Sequence, residues 1–447
     1  MSCGPRKEAV KIMRENFRLI ENRELHETLY HYRFWPGLDL YVLPRRDYQK
    51  KYAVFSTRFG SIDNRFRVEP EQEVTELPDG VAHFLEHKLF EDERGNVFDR
   101  FAALGASPNA FTSFNQTSYL FSCTASFEQS LDHLLNFVQE PYFTEKTVQK
   151  EQGIIGQEIK MYEDHPHWRV FFNLLAGLYQ KHPVRNDIAG TAESIARITP
   201  DLLYRCYHTF YHPSNMAVFV VGDLDPEPVG RQVQENLAGR EYGPMGEIVR
   251  LFPEEPADIY QAKTVQELIV SDPILFIGFK DNKVGKLQSR DLMRREILME
   301  LVLDILFGSS EQLYNELYRN NLIDENFGAE YTAELNYGYA MIGGETGDPD
   351  QLYGRIMEAV EDLKKQGIRA EQFERHRRKI LGGYIRRFNS LEFIANNFLA
   401  YRFKDAELFD LPSILQAVKR EEALGVLEEN LDPAYHALSL IAPPKEE

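Results

Sequence analysis

The stretch Val81-Ala82-His83-Phe84-Leu85-Glu86-His87-Lys88-Leu89-Phe90 sets two histidines and a glutamate in an otherwise strongly apolar run. It reads as a helix from about Gly80 to Glu91. His83 and His87 are four residues apart, so on a helix their side chains stand one above the other on one face. That spacing lets two imidazoles hold one tetrahedral ion. Glu86 lies close to the same face, where a general base can touch a metal-bound water without being a ligand. Buried without partners, each polar group would cost on the order of 1–3 kcal/mol. A metal removes that cost. The order His-x-x-Glu-His is the inverted zincin pattern. The competing reading is a chance match with a structural role.

A catalytic zinc usually takes three protein ligands and keeps one position for water. Residues 144–164, TEKTVQKEQGIIGQEIKMYED, supply candidates for the third. Their helical stripe runs through Ile154, Ile155 and Tyr162, and Glu151 and Glu158 lie on it two turns apart. One can be the ligand and the other the carboxylate that orients a ligating histidine. A helix rotated the other way would leave both glutamates in water. The remaining histidines carry less. His26 and His31 read as surface, and His165 and His167 as a solvated loop pair. His182, His208 and His212 read as hydrogen-bonded packing groups.

Composition narrows the partners. The 447 residues carry a formal net charge of −19, which disfavours nucleic acid and anionic membrane surfaces. Hydrophobic residues make up 43% and charged residues 27%, an ordinary globular balance. Cys3, Cys123 and Cys206 show no CxxC spacing, so neither a disulfide framework nor a zinc finger is expected. The N-terminus has no apolar stretch of signal-peptide length, and no window approaches the roughly 20 apolar residues of a membrane span. The expected address is the cytoplasm.

The expected fold class is α+β. Strands are expected at Leu38–Val42, Tyr52–Phe59, Phe114–Thr124 and Met216–Val221, and helices at Val97–Leu104, Leu131–Val138 and Lys146–Tyr162. Residues 238–260 turn rich in Gly, Pro and Glu and read as a linker. Beyond it a strand, Ile274–Phe279, and a long helix, Arg294–Phe307, repeat the order of the first half. The run LVLDILF there echoes HFLEHKLF. The chain is therefore divided into residues 1–237, with the metal ligands, a 238–260 linker, and a homologous metal-free domain, 261–447.

These residues resemble the pitrilysin/insulinase family of zinc peptidases, which includes mitochondrial processing peptidase, and within it the bacterial YmfH-like group. The resemblance rests on His83 to His87, on Glu151 and Glu158, on GASPNAFTSFNQTSYLF (105–121) and on HPVRNDIAGTAESIARITPDLLYRCYHTFYHPSNMAVFVVGD (182–223). It is dense over about residues 30–225. It implies that His83, His87 and Glu158 bind one zinc per chain, that Glu86 is the general base and that Glu151 supports a ligand. It also implies two homologous α/β domains, each a mainly antiparallel sheet flanked by helices, arranged as a clamshell. Peptide substrate would add as a strand beside Asn109, Ala110, Phe111 and Thr112.

The implied activity is a zinc-dependent endopeptidase acting through a zinc-activated water on peptides or unfolded segments. The alternative is a non-catalytic scaffold with the same fold. One departure bears on the choice. Many members place an Arg and, seven residues on, a Tyr in the second half. In NELYRNNLIDENFG (315–328) Tyr318 stands where the arginine would be, Arg319 is one place off, and Glu325 and Asn326 occupy the tyrosine region. A heterodimer is therefore expected, with a homologous metal-free partner subunit supplying the Arg and Tyr.

Overall fold

A computed structural model describes residues 17–93, 95–287 and 289–444. Cys3 and the N-terminal stretch lie outside the described residues. The chain forms two compact units. The first takes the described residues up to Gln157, then Ile188–Leu251 and Arg387–Phe403. The second takes Glu158–Asp187, Phe252–Arg386 and the described residues from Lys404 onward.

The first unit is built on a seven-stranded sheet. Its order is Phe17–Asn22, Glu27–Phe34, Leu38–Pro44, Met216–Gly222, Lys51–Thr57, Thr117–Cys123 and Ser107–Thr112. Only Leu38–Pro44 and Met216–Gly222 run parallel among these neighbours. Met216–Gly222 is buried along its whole length, as its unbroken apolar run requires of a central strand. Ser107–Thr112 ends the order, so one of its edges is unpaired within the sheet.

The second unit holds a five-stranded sheet in the order Lys263–Glu267, His436–Ala442, Ile274–Lys280, Gly338–Glu345, Gly328–Ala333. It repeats the last five positions of the first sheet. A parallel pair leads, an antiparallel strand follows, and a hairpin closes the order. Even the hairpins match. Thr112 faces Thr117 in one and Ala333 faces Gly338 in the other, so loops 113–116 and 334–337 are equal in length. Each is closed by a 2.8 Å hydrogen bond, from Ser113 N to Gln116 O and from Glu334 N to Tyr337 O. The expected pair of homologous α/β domains is present. The run LVLDILF lies in helix Ser289–Phe307, which precedes its hairpin as helix Val81–Leu89 precedes the first.

Two helices are exchanged along the chain. Pro166–Leu178, from the first half of the sequence, packs on Ile274–Lys280 and His436–Ala442 of the second unit. Leu391–Arg402, from the second half, packs on Lys51–Thr57 and Met216–Gly222 of the first. There Phe398 meets the rings of Tyr41 and Phe219 at 4.8 and 5.0 Å. The Gly- and Pro-rich stretch is not featureless, because Ile248–Arg250 pairs antiparallel with Arg65–Val68.

Candidate metal centre

Helix Val81–Leu89 is buried on nearly every side, with only His87 partly exposed. Its start is held by two glycines. Gly80, at φ 91°, leads into the helix, and a Cβ there would lie 2.5 Å from the carbonyl oxygen of Ala189. Gly190, at φ 77°, returns the arrangement, since its Cβ would lie 2.5 Å from the carbonyl oxygen of Asp79. Both positions therefore need a residue without a side chain. Ser194 Oγ then donates to Asp79 O at 2.8 Å, while Thr191 and Ser194 cap the short helix that follows. The same segment anchors the glutamate helix, Glu145–Glu163, because Gln152 Nε2 donates to Ile198 O at 3.0 Å.

The two imidazoles sit as their spacing predicts, with ring centroids 4.6 Å apart. Burial first, and then the neighbouring His87 ring, pushes His83 down to about 3. It is consequently a neutral imidazole at neutral pH, the form that ligates metals. His87 Nδ1 lies 3.1 Å from Glu151 Oε1, so the other ring nitrogen, Nε2, is the one left for a metal. Glu158 completes a set with His83 and His87 whose ligand atoms all lie within 4.8 Å of one another. Glu158 stands one residue beyond the boundary of the first unit, on the same unbroken helix as Glu151. Two imidazoles and a carboxylate are a donor set that fits zinc. Among the described residues no other cluster of His, Cys, Asp or Glu converges in this way.

The buried stripe of the glutamate helix differs in detail from the sequence expectation. Val148, Glu151, Ile155 and Ile159 are buried, whereas Ile154 is 45% exposed. Successive isoleucines point about 100° apart on a helix, and here the buried face takes Ile155 and leaves Ile154 toward solvent.

Glu86 is held from the sheet. Thr112, the last residue of the edge strand, donates its hydroxyl to Glu86 Oε2 at 2.6 Å. Behind it Thr117 Oγ1 donates to Phe59 O at 2.8 Å, and the Tyr119 and Tyr211 hydroxyls meet at 2.8 Å. Burial above all keeps both phenols protonated. Asn109 stays at the exposed edge, where its side chain accepts from Ala110 N at 2.9 Å. Ala110 and Phe111 lie between it and Thr112, half-buried.

Residues 73–192 match the insulinase (peptidase family M16) domain, and residues 197–380 match the peptidase M16 inactive domain. The chain is 47% identical over 418 residues to an uncharacterised zinc protease, YmfH, of Bacillus subtilis, covering 92% of this chain and 96% of that protein. It belongs to the insulinase family of peptidases. A putative M16-like peptidase from Alicyclobacillus acidocaldarius superposes with a TM-score of 0.90 at 36% identity, over 95% of this chain and all of that one. A probable mitochondrial-processing peptidase subunit beta of Arabidopsis thaliana is 28% identical over 204 residues, 44% of this chain and 35% of that protein.

Within this insulinase-family chain His83, Glu86, His87, Glu151 and Glu158 all fall in the 73–192 match and none in the inactive-domain match. Tyr318 and Arg319 end helix Gln312–Arg319 of the second unit, with Tyr318 half-exposed and its ring near that of Tyr314. Four other histidines serve locally. His165, His182 and His212 each accept a backbone N–H at a helix start, and His31 stacks on Tyr41 beside Asp39. Gly80, Gly190 and Ser194 escaped the sequence reading as site-builders. A glycine paired with a distant glycine leaves no periodic signal; only the Thr-x-x-Ser cap was visible in principle.

Proposed function

We propose that this chain is a zinc-dependent endopeptidase in which His83, His87 and Glu158 hold the metal, Glu151 supports His87, and Glu86 is the general base. The observation that carries the reading is the Thr112–Glu86 hydrogen bond. It ties the end of an unpaired sheet edge to a carboxylate beside the metal-ligand set. A peptide added along Asn109–Thr112 would use backbone hydrogen bonds, largely independent of its sequence, and would run past that carboxylate.

When bound, zinc supplies Lewis-acid polarisation of a carbonyl and makes a water more acidic. The chain's own residues do the rest. Glu86 accepts the proton from the attacking water at the carboxylate oxygen that Thr112 does not occupy, then returns it to the leaving nitrogen. Glu151 fixes the His87 ring and its tautomer. The open edge aligns the scissile bond and keeps the peptide extended.

A soluble cytoplasmic protein is the address we propose; among the described residues no helix is long and apolar enough to cross a membrane. The scaffold reading is favoured by one observation, the missing Arg and Tyr in residues 315–328. We reconcile the two by a heterodimer with a homologous metal-free subunit. The Arabidopsis thaliana relative is named as a subunit, which supports this reading.

The test is hydrolysis of quenched unstructured peptides by the zinc-loaded chain. Glu86→Gln is expected to lower turnover at least about a hundredfold with zinc still bound. Glu158→Gln is expected to lower zinc content, measured by atomic emission. Unaltered turnover in Glu86→Gln would sink the general-base role. Activity that appears only when a metal-free homologue is added would favour the heterodimer, and full activity alone would remove it.

A further inference from the structure

We propose that Tyr162, held by Trp168, is a positioning residue that presets the Glu158 carboxylate for the metal; this rests on Glu158 being the third ligand. Tyr162 follows Glu158 by one helical turn, and its hydroxyl donates to Glu158 Oε1 at 2.8 Å. A carboxylate that gives one oxygen to a metal leaves the other to a hydrogen bond, and such a bond fixes the rotamer before the metal arrives. A glutamate otherwise turns about three side-chain bonds, and that freedom must be lost on ligation.

What fixes Tyr162 lies in the next helix. The glutamate helix ends at Glu163, and His165 and Pro166 start helix Pro166–Leu178. Across this short turn Trp168 stacks on Tyr162, with ring centroids 4.2 Å apart and planes 11° from parallel. Trp168 is itself tethered at both ends. Its backbone N–H donates to His165 Nδ1 at 3.2 Å and its indole Nε1–H to Asp187 Oδ2 at 2.6 Å. Phe172 also packs against the indole, with ring centroids 5.1 Å apart. The phenol can therefore neither swing nor slide, and its hydroxyl stays on Glu158. All of these residues belong to Glu158–Asp187, one continuous segment of the second unit.

The experiment measures zinc dissociation constants by competition with a chromophoric chelator. It compares the full chain, Tyr162→Phe, Glu158→Gln and the double variant. Tyr162→Phe keeps the stacked ring and loses only the hydroxyl, so it is expected to weaken zinc about tenfold. In the Glu158→Gln background the same change is expected to do nothing further, and Trp168→Leu is expected to act like Tyr162→Phe. An unchanged constant in Tyr162→Phe would overturn the proposal. So would an equal loss in both backgrounds, because a merely structural ring would weaken either protein alike. If Glu158→Gln leaves zinc affinity intact, the ligand assignment itself fails and the proposal falls with it, a result distinct from the other two.

Discussion

At the scale of single residues the proposed metal set was legible because it obeys a helical period. Spacings of four and seven place His83 with His87 and Glu151 with Glu158 whatever the tertiary structure does. Thr112 was legible only as part of an edge strand expected to bind peptide, since no local rule connects residue 112 to residue 86. Its hydroxyl on Glu86 Oε2 gives it a second task. Thr112→Val keeps the shape of the side chain and removes the donor. Hydrogen bonds to charged groups contribute about 1.5–3 kcal/mol, so kcat is expected to fall by at least about tenfold. KM is expected to stay, because the strand's backbone edge is unaltered, and Thr112→Ser is expected to restore most of the rate. Steady-state kinetics decide it: a rise in KM at constant kcat would assign Thr112 to substrate binding alone.

At the scale of elements, helices and strands declared themselves by period, and their ends shifted by only a few residues. Helix Arg294–Phe307 begins earlier, at Ser289, because Leu292 and Met293 are already buried. What periodicity cannot express is how elements are joined. Gly80 and Gly190 face each other's backbone, and Gln152 reaches residues 195–198, so one loop locks the motif helix to the glutamate helix. Replacing Gly190 by alanine forces a side chain into a left-handed backbone, a cost of about 1–3 kcal/mol, before the contact with Asp79 O is counted. Gly190→Ala is therefore expected to lower the urea midpoint and to weaken zinc together. Gly153 is the control, since nothing lies within 4 Å of its Cβ position and it sits inside the glutamate helix. Gly153→Ala is expected to be neutral or to stabilise by about 0.5–1 kcal/mol with zinc affinity unchanged. Equal behaviour of the two variants would deny the lock.

At the scale of the whole molecule, the repeat of two similar halves was readable from element order, and the matching hairpin registers give it a physical basis. The second half keeps the frame and changes its filling. Where Thr112 reaches Glu86 in the first hairpin, Ala333 stands at the matching position. Nearby, Asp281 accepts from Arg295 and from Tyr331, whose hydroxyl lies 2.6 Å away. A buried ion pair thus stands in the unit that holds neither His83 nor His87. The exchanged helices were not readable, because an amphipathic pattern says that a helix is half-buried and not which sheet it covers. Yet they decide how the chain can be divided. A cut in residues 238–260 leaves the first sheet without Leu391–Arg402 and the second without Pro166–Leu178. Losing Phe398 alone, which is 1% exposed, is expected to cost about 3–5 kcal/mol as Phe398→Ala, a large share of the stability of a domain. Fragments 1–260 and 261–447 expressed separately are therefore expected to aggregate, and co-expressed to associate into one zinc-binding species on gel filtration. Two fragments that each fold alone, with sharp separate melts, would show that neither sheet depends on its borrowed helix.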